Sequence, residues 1–465
     1  MSAKKYDLIV IGSGPAGEKG AAQAAYFGKK VALIEIEAIY GGAAANTGTL
    51  PSKTLRETSL TLSGLKARKL YGLDLSIQRE CTVQDFLHHE KQVVKSEQSR
   101  VENNLLKHKI DTYRGEGFFV DDHTVEVKGQ DAAVLKGEII LIATGSSPFH
   151  PPNIPVEHPA IYDSDSILRL RRMPAELVVI GGGVIGCEYA CTFAALGVKV
   201  SLINGRHEIL GFLDSEISQN LRDSMIRLGI EFIAPDRVST VYPRDEDEVT
   251  LSLESGKIIN CDTVLIATGR KSNTGNLNLI AAGVETANRG LIEVNSNYQT
   301  NIPHIYAAGD VIGFPALAST SMEQARLAMV HAFDLGYKKD VAPVAAYGIY
   351  TIPEVSMAGY TQEQLEEENI EYVVGRAYYN QNARGMIIGD QHGLLKLLYR
   401  KEDLKLMGVH VVGDIASELV HTGLIALMSD AHSDLFIRTC FNYPTLSELY
   451  KYATYDAMGK VKRND

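Results

Sequence analysis

The same phosphate-binding arithmetic occurs twice in this chain, and no other feature narrows its fold as much. The apolar run Tyr6 to Val10 leads into Gly12-x-Gly14-x-x-Gly17, an alanine-rich stretch to about Phe27, and a second apolar run, Val31 to Ile34, ending in Glu35. This order predicts strand, glycine turn, helix and strand, the unit that holds a dinucleotide. The first glycine permits the tight turn, the second lets backbone N–H groups approach a pyrophosphate, and the third lets helix pack closely on strand. Pro15 and Ala16 open the helix, and Glu35, 18 residues after Gly17, is placed to accept hydrogen bonds from ribose hydroxyls.

The second copy runs from strand Leu177 to Ile180 through Gly181-x-Gly183-x-x-Gly186, with Val184 and Ile185 between the last two glycines, to a helix ending near Leu196. The strand Lys199 to Ile203 and then Asn204 complete it, and the first glycine and the strand-end residue are 23 apart in both copies. Asn204 is neutral, so this site lacks the carboxylate that repels a 2′-phosphate, and Arg206 with His207 stands just beyond as candidate phosphate partners. The pattern predicts acceptance of NADP(H) with NAD(H) still admitted. The plainer reading of Arg206 is a solvated loop charge.

A chain of 465 residues is too long for one core, and 45% apolar content supplies two or three. A net charge of −11 opposes nucleic acid and anionic membranes. The stretch Tyr6 to Ile11 that follows the basic start is only strand length, so neither a signal peptide nor a membrane span is expected. Five scattered cysteines (Cys81, Cys187, Cys191, Cys261, Cys440) fit reduced thiols in the cytoplasm. Cys187 and Cys191 share a helix face, but no further ligands cluster near them, nor near His421 or His88 and His89; no metal is assigned.

Three further signals join the two glycine units: Ala143-Thr144-Gly145 after an apolar run, its echo Ala267-Thr268-Gly269, and Ile305-Tyr306-Ala307-Ala308-Gly309-Asp310. Together they resemble the two-dinucleotide flavoprotein disulfide reductase family over essentially the whole chain. The resemblance implies an α/β fold of two Rossmann-like dinucleotide-binding domains, for FAD and NAD(P), plus a C-terminal α+β dimerisation domain. It divides the chain into FAD segments 1–150 and 272–345, an NAD(P) segment 151–271 and an interface segment 346–465, and implies a homodimer. It places Asp310 at the flavin's ribityl and pyrophosphate region, and adds Gly42, Thr47, Glu116, Thr144, Gly145, Gly269 and Arg270 as cofactor contacts. Lys53 matches the family lysine near flavin N5 and Glu188 its ion-pair partner; without the family they are a surface lysine and a helix-start carboxylate.

Two departures from that family bear on chemistry. Its redox cysteines fall at positions held here by Ala44 and Thr49, which cannot form a dithiol. Near the C-terminus, Tyr443 stands where the family keeps a His, while Glu448 remains; a phenol with an ordinary pKa of about 10 is a poor base at neutral pH. Thr49, Phe441-Asn442-Tyr443-Pro444-Thr445 and Leu202-Ile203-Asn204 resemble the soluble pyridine nucleotide transhydrogenase subgroup, which commonly keeps a Cys where this chain has Ala44. That likeness implies hydride exchange between NADPH and NAD⁺ at one nucleotide site, through the flavin alone. The alternative is an NAD(P)H dehydrogenase passing electrons to quinone or another small acceptor. A flavin scaffold without turnover would need no nicotinamide pocket.

Overall fold

The apolar run expected at Tyr6 to Val10 is the strand Lys4–Ile11 in the computed structural model of this chain, which describes residues 3–64 and 82–461. Cys81 lies outside the described residues. The strand pairs in parallel with Val31–Glu35 on one side and Ala133–Ile142 on the other. Leu8, Val10, Leu33 and Leu141 enter one core cluster, while Ile9, Ile11, Ile34, Ile140 and Ile142 enter another. Burial on both faces is what a parallel sheet demands, and it explains why these runs are continuously apolar instead of alternating.

These strands belong to a unit formed by Met1–Thr54, Leu87–Phe149 and Gly269–Val341. Its sheet runs in the order Asp111–Arg114, Val31–Glu35, Lys4–Ile11, Ala133–Ile142, Thr124–Lys128, Glu116–Phe119. Ile305–Ala307 joins parallel to Ala133–Ile142, with Ala307 opposite Ile142. That pairing delivers Gly309 and Asp310 to the sheet end where Ala143 and Thr144 emerge. The polar stretch from Gln92 onward belongs to the helix Val83–Lys107, which is anchored in the core. Val101 and Leu105, four apart on one face, are each 2% exposed and pack in the cluster of Leu33.

The other unit comprises Leu55–Phe86, His150–Thr268 and Ala342–Asp465. It holds an all-parallel sheet ordered Glu231–Ile233, Lys199–Ile203, Glu176–Ile180, Thr263–Ile266, Ile161–Asp163. It also holds an antiparallel sheet ordered Tyr347–Ile349, Glu354–Gly359, Leu406–Gly413, Leu394–Arg400, Tyr372–Tyr378. The helices Ala416–Met428 and Leu449–Val461 bury Leu419, Val420, Leu449 and Tyr450 in that sheet's core. Among the described residues no helix is long and apolar enough to cross a membrane.

Candidate functional site

The first glycine turn is fixed by backbone sterics. Gly12 sits at φ +102°, and a Cβ there would lie 2.4 Å from the Ala143 carbonyl oxygen. A Cβ on Gly17 would lie 1.9 Å from the Gly12 oxygen, so helix and turn touch backbone to backbone. Gly14 is different. A Cβ there would have its nearest protein neighbour 3.9 Å away, at the Gly42 Cα, and among the described residues Gly14 caps the helix Pro15–Tyr26 with no side-chain cap hydrogen bond. Pro15 has no N–H to leave unpaired, while those of Ala16 and Gly17 are aimed out of the helix, the arrangement that receives a pyrophosphate.

Glu35 is 5% exposed at its strand end. Its Oε2 accepts from the Ser13 N–H at 2.8 Å and the Ser13 hydroxyl at 2.5 Å, and its Oε1 accepts from the Glu37 N–H at 2.9 Å. A carboxylate has about four acceptor positions, so one remains on Oε1 for a ribose hydroxyl. Ser13, which no sequence signal singles out, also accepts from the Gly41 N–H at 3.0 Å and so ties the turn to the segment carrying Gly42. Among the described residues the buried Thr144 hydroxyl has no hydrogen-bond partner. A buried hydroxyl in need of a partner, beside a glycine turn whose Gly14 leaves room for close approach, fits a bound dinucleotide such as FAD.

Asp310 accepts from the Ser146 hydroxyl at 2.8 Å, and Arg270 reaches the same hydroxyl at 2.8 Å and the Ser146 carbonyl at 2.6 Å. Arg270 thus fixes Ser146, and Ser146 fixes Asp310. Gly145 and Gly269 both take positive φ, with open space where a Cβ would be. Glu116 accepts from Asn276 at 2.7 Å, and Thr47 closes the short helix Gly42–Asn46 that contains Ala44. Thr49 begins the helix Thr49–Leu62, on which Lys53 is half-buried.

The second glycine turn repeats the first. A Cβ on Gly181, at φ +116°, would meet the Ala267 oxygen at 2.4 Å, one on Gly186 would meet the Gly181 oxygen at 1.9 Å, and Gly183 faces open space. Gly183 caps the helix Val184–Ala195 without a side-chain cap, leaving the first N–H groups, including those of Val184 and Ile185, for an anion. Glu188, buried on that helix, accepts from the Tyr350 N–H at 2.9 Å.

Asn204 does more than omit a charge. Its Oδ1 accepts from the Gly182 N–H at 3.2 Å, and its Nδ2 donates to the carbonyls of Arg206 and Glu208, both at 2.8 Å. Since Gly182 can only donate there and the carbonyls can only accept, the amide has one orientation. The Glu35 loop turns an N–H inward, whereas this loop turns carbonyls inward. Its far end is held by the Leu210 N–H on the Gly182 carbonyl at 3.1 Å. Arg206 and His207 are exposed on this loop, and Arg222 supports it by donating to the His207 carbonyl at 2.8 Å.

Cys187 and Cys191 are fully buried; burial pushes the Cys187 thiol well up and Cys191 to about 12. Such thiols are core packing and poor nucleophiles. Among the described residues Asp122, His123 and His304 are the one group close enough to hold a metal ion. The two histidine rings stack at 3.7 Å, and each already bonds a backbone carbonyl. Tyr443 is 71% exposed in the single chain, and Glu448 is half-buried in the short turn Leu446–Glu448.

Residues 6–329 match the model of the pyridine nucleotide-disulphide oxidoreductase family, and residues 345–454 match its dimerisation domain. A soluble pyridine nucleotide transhydrogenase of Mycobacterium bovis is 43% identical over 99% of this chain and 98% of the relative. One from Pseudomonas fluorescens is 40% identical over 99% and 100%. Among solved structures, LpdA of Mycobacterium tuberculosis superposes with a TM-score of 0.90 at 24% identity, over 97% of this chain and 99% of that one. The HOCl-induced flavoprotein disulfide reductase RclA of Escherichia coli gives 0.86 at 26%, over 98% and 99%.

Proposed function

The chain belongs to the pyridine nucleotide-disulphide oxidoreductase family, and on that footing we propose that it transfers hydride between NADPH and NAD⁺ through FAD, with no redox-active disulfide. The observation that carries this reading is the likeness, over nearly the full length of both chains, to relatives named soluble pyridine nucleotide transhydrogenase. Ala44 and Thr49 support it, since neither can carry the sulfur that would take electrons onward.

In this reading the first glycine turn holds FAD through the N–H groups of Ala16 and Gly17, with Glu35 on the ribose and Asp310 on the ribityl region. The second holds the nicotinamide nucleotides in turn, with Arg206 at the 2′-phosphate. When bound, the flavin supplies a store for one hydride between two nucleotide visits. The protein's part is to orient and to tune charge: the Lys53 ammonium favours negative charge on the reduced ring, and Glu188 helps position the nicotinamide. Tyr443 and Glu448 belong to the interface segment and serve the partner's site in a C₂ homodimer. The segments 1–150 and 272–345 serve FAD, 151–271 the nucleotides and 346–465 the dimer. The cytoplasm is the compartment that suits these nucleotides and, among the described residues, four free thiols, of which Cys440 is exposed.

Anaerobic titration with NADPH should bleach the flavin band with one electron pair per FAD, and NAD⁺ should restore it. Consumption of two pairs, with a thiolate charge-transfer band, would overturn the disulfide-free reading. Steady-state rates with NAD⁺, quinone and O₂ then decide the acceptor; rates confined to quinone or O₂ would make the protein a dehydrogenase instead. Arg206→Ala should raise the KM for NADPH roughly tenfold and leave that for NADH nearly untouched. An equal effect on both nucleotides removes the 2′-phosphate role.

A further inference from the structure

The loop after strand Lys199–Ile203 has a neighbour that its own sequence does not announce. A Cβ on Gly205 would lie 2.9 Å from Nε and 3.3 Å from Cγ of Arg237, so the Arg237 side chain lies across the face of Gly205, next to Arg206. Arg237 comes from a different part of the sheet, just past strand Glu231–Ile233. Its backbone is pinned on both sides: the Asp236 N–H donates to the Asn204 carbonyl at 3.0 Å, and the Glu254 N–H donates to the Arg237 carbonyl at 2.8 Å. The nearest acid in sequence, Asp236, is committed to the Ser255 hydroxyl at 2.5 Å and N–H at 3.3 Å. Among the described residues the exposed Arg237 guanidinium has no hydrogen-bond or ion-pair partner.

A guanidinium held against a loop, unpaired, beside a second exposed arginine and a strand-end residue without charge, is matched to a dianionic phosphomonoester. We propose that Arg237 is a second specificity-determining cation for the 2′-phosphate of NADP(H), acting together with Arg206. Gly205 is part of the device, because any side chain there would displace the guanidinium. The inference rests on the reading of the second glycine turn as the NADP(H) site, and adds to it a residue from outside the dinucleotide fingerprint.

The test is calorimetric titration of the FAD-loaded protein with 2′,5′-ADP and with 5′-AMP, which differ only by the phosphate in question. Wild type should prefer 2′,5′-ADP. Arg237→Ala should weaken 2′,5′-ADP about tenfold and leave 5′-AMP within about twofold, with a shallower salt dependence for 2′,5′-ADP. Gly205→Ala retains both arginines and should move the preference the same way. Flavin content and melting temperature control for folding. If Arg237→Ala keeps the full wild-type preference, this inference is overturned while the NADP(H) reading stands; if wild type itself shows no preference, both fall.

Discussion

Gly12→Val should give a chain that folds yet purifies without its yellow colour. The residue sits at φ +102°, where an L side chain is strained, and the obstacle to a Cβ is the Ala143 carbonyl at 2.4 Å, not a movable side chain. That carbonyl cannot retreat easily, because the Ala143 N–H is bonded to the Ile11 carbonyl at 2.8 Å and Ile11 stands in register with Ile142. The turn itself must therefore shift, carrying the leading N–H groups of the helix away from the pyrophosphate. Strain of about 1–3 kcal/mol plus one weakened charge-assisted hydrogen bond of about 1.5–3 kcal/mol sums to about 4 kcal/mol, roughly a thousandfold in FAD affinity. Gly14→Ala makes the informative comparison: with its nearest protein atom 3.9 Å away, the added methyl meets only the space a ligand would use. It should weaken FAD without straining the fold. The flavin-to-protein absorbance ratio and calorimetric FAD affinity read both variants; stoichiometric flavin in Gly12→Val would mean that the first glycine turn does not hold the cofactor.

Why the two glycine turns were legible and much around them was not follows from the range over which each is determined. The turns obey local rules: a positive φ at the first glycine, that glycine's own carbonyl too close for a Cβ on the third, and a helix that must begin within a few residues. All of that is written within about two dozen consecutive positions. The buried strands were equally plain, since burial on both faces leaves unbroken apolar runs. Hidden from the sequence were contacts made only when distant strands become neighbours. Ser146 meets Asp310 because Ile305–Ala307 adds to Ala133–Ile142, and Arg237 meets Gly205 because strand Glu231–Ile233 lies beside Lys199–Ile203. The anchoring of the polar helix Val83–Lys107 was hidden for a related reason: Val101 and Leu105 make too narrow a stripe to stand out, yet both are buried. Asn204 was legible in its lack of charge and illegible in its direction, because which groups it would face depended on how the loop beyond it turned.

That direction makes Asn204→Asp the most informative change at the second site. Asparagine and aspartate have nearly the same shape, so the substitution exchanges a donor for an acceptor and adds a charge. The oxygen replacing Nδ2 would face the carbonyls of Arg206 and Glu208, each now 2.8 Å from an N–H donor, and the loop must open to relieve three converging acceptors. Arg206 moves with it. The new carboxylate also stands where a 2′-phosphate must be tolerated; like charges roughly 5 Å apart at an effective dielectric near 20 repel by about 3 kcal/mol, or about a hundredfold. For NAD(H) the same carboxylate can accept from ribose hydroxyls, as Glu35 is placed to do at the first turn, which offsets the damage to the loop. The ratio of kcat/KM for NADPH over NADH should therefore fall about a hundredfold, with flavin content unchanged. Asn204→Ser removes the bracing without adding charge, and should lower both nucleotides by a similar, smaller factor. Equal losses for NADPH and NADH in Asn204→Asp would show that the amide serves the loop's shape alone and that charge at this position does not select between the nucleotides.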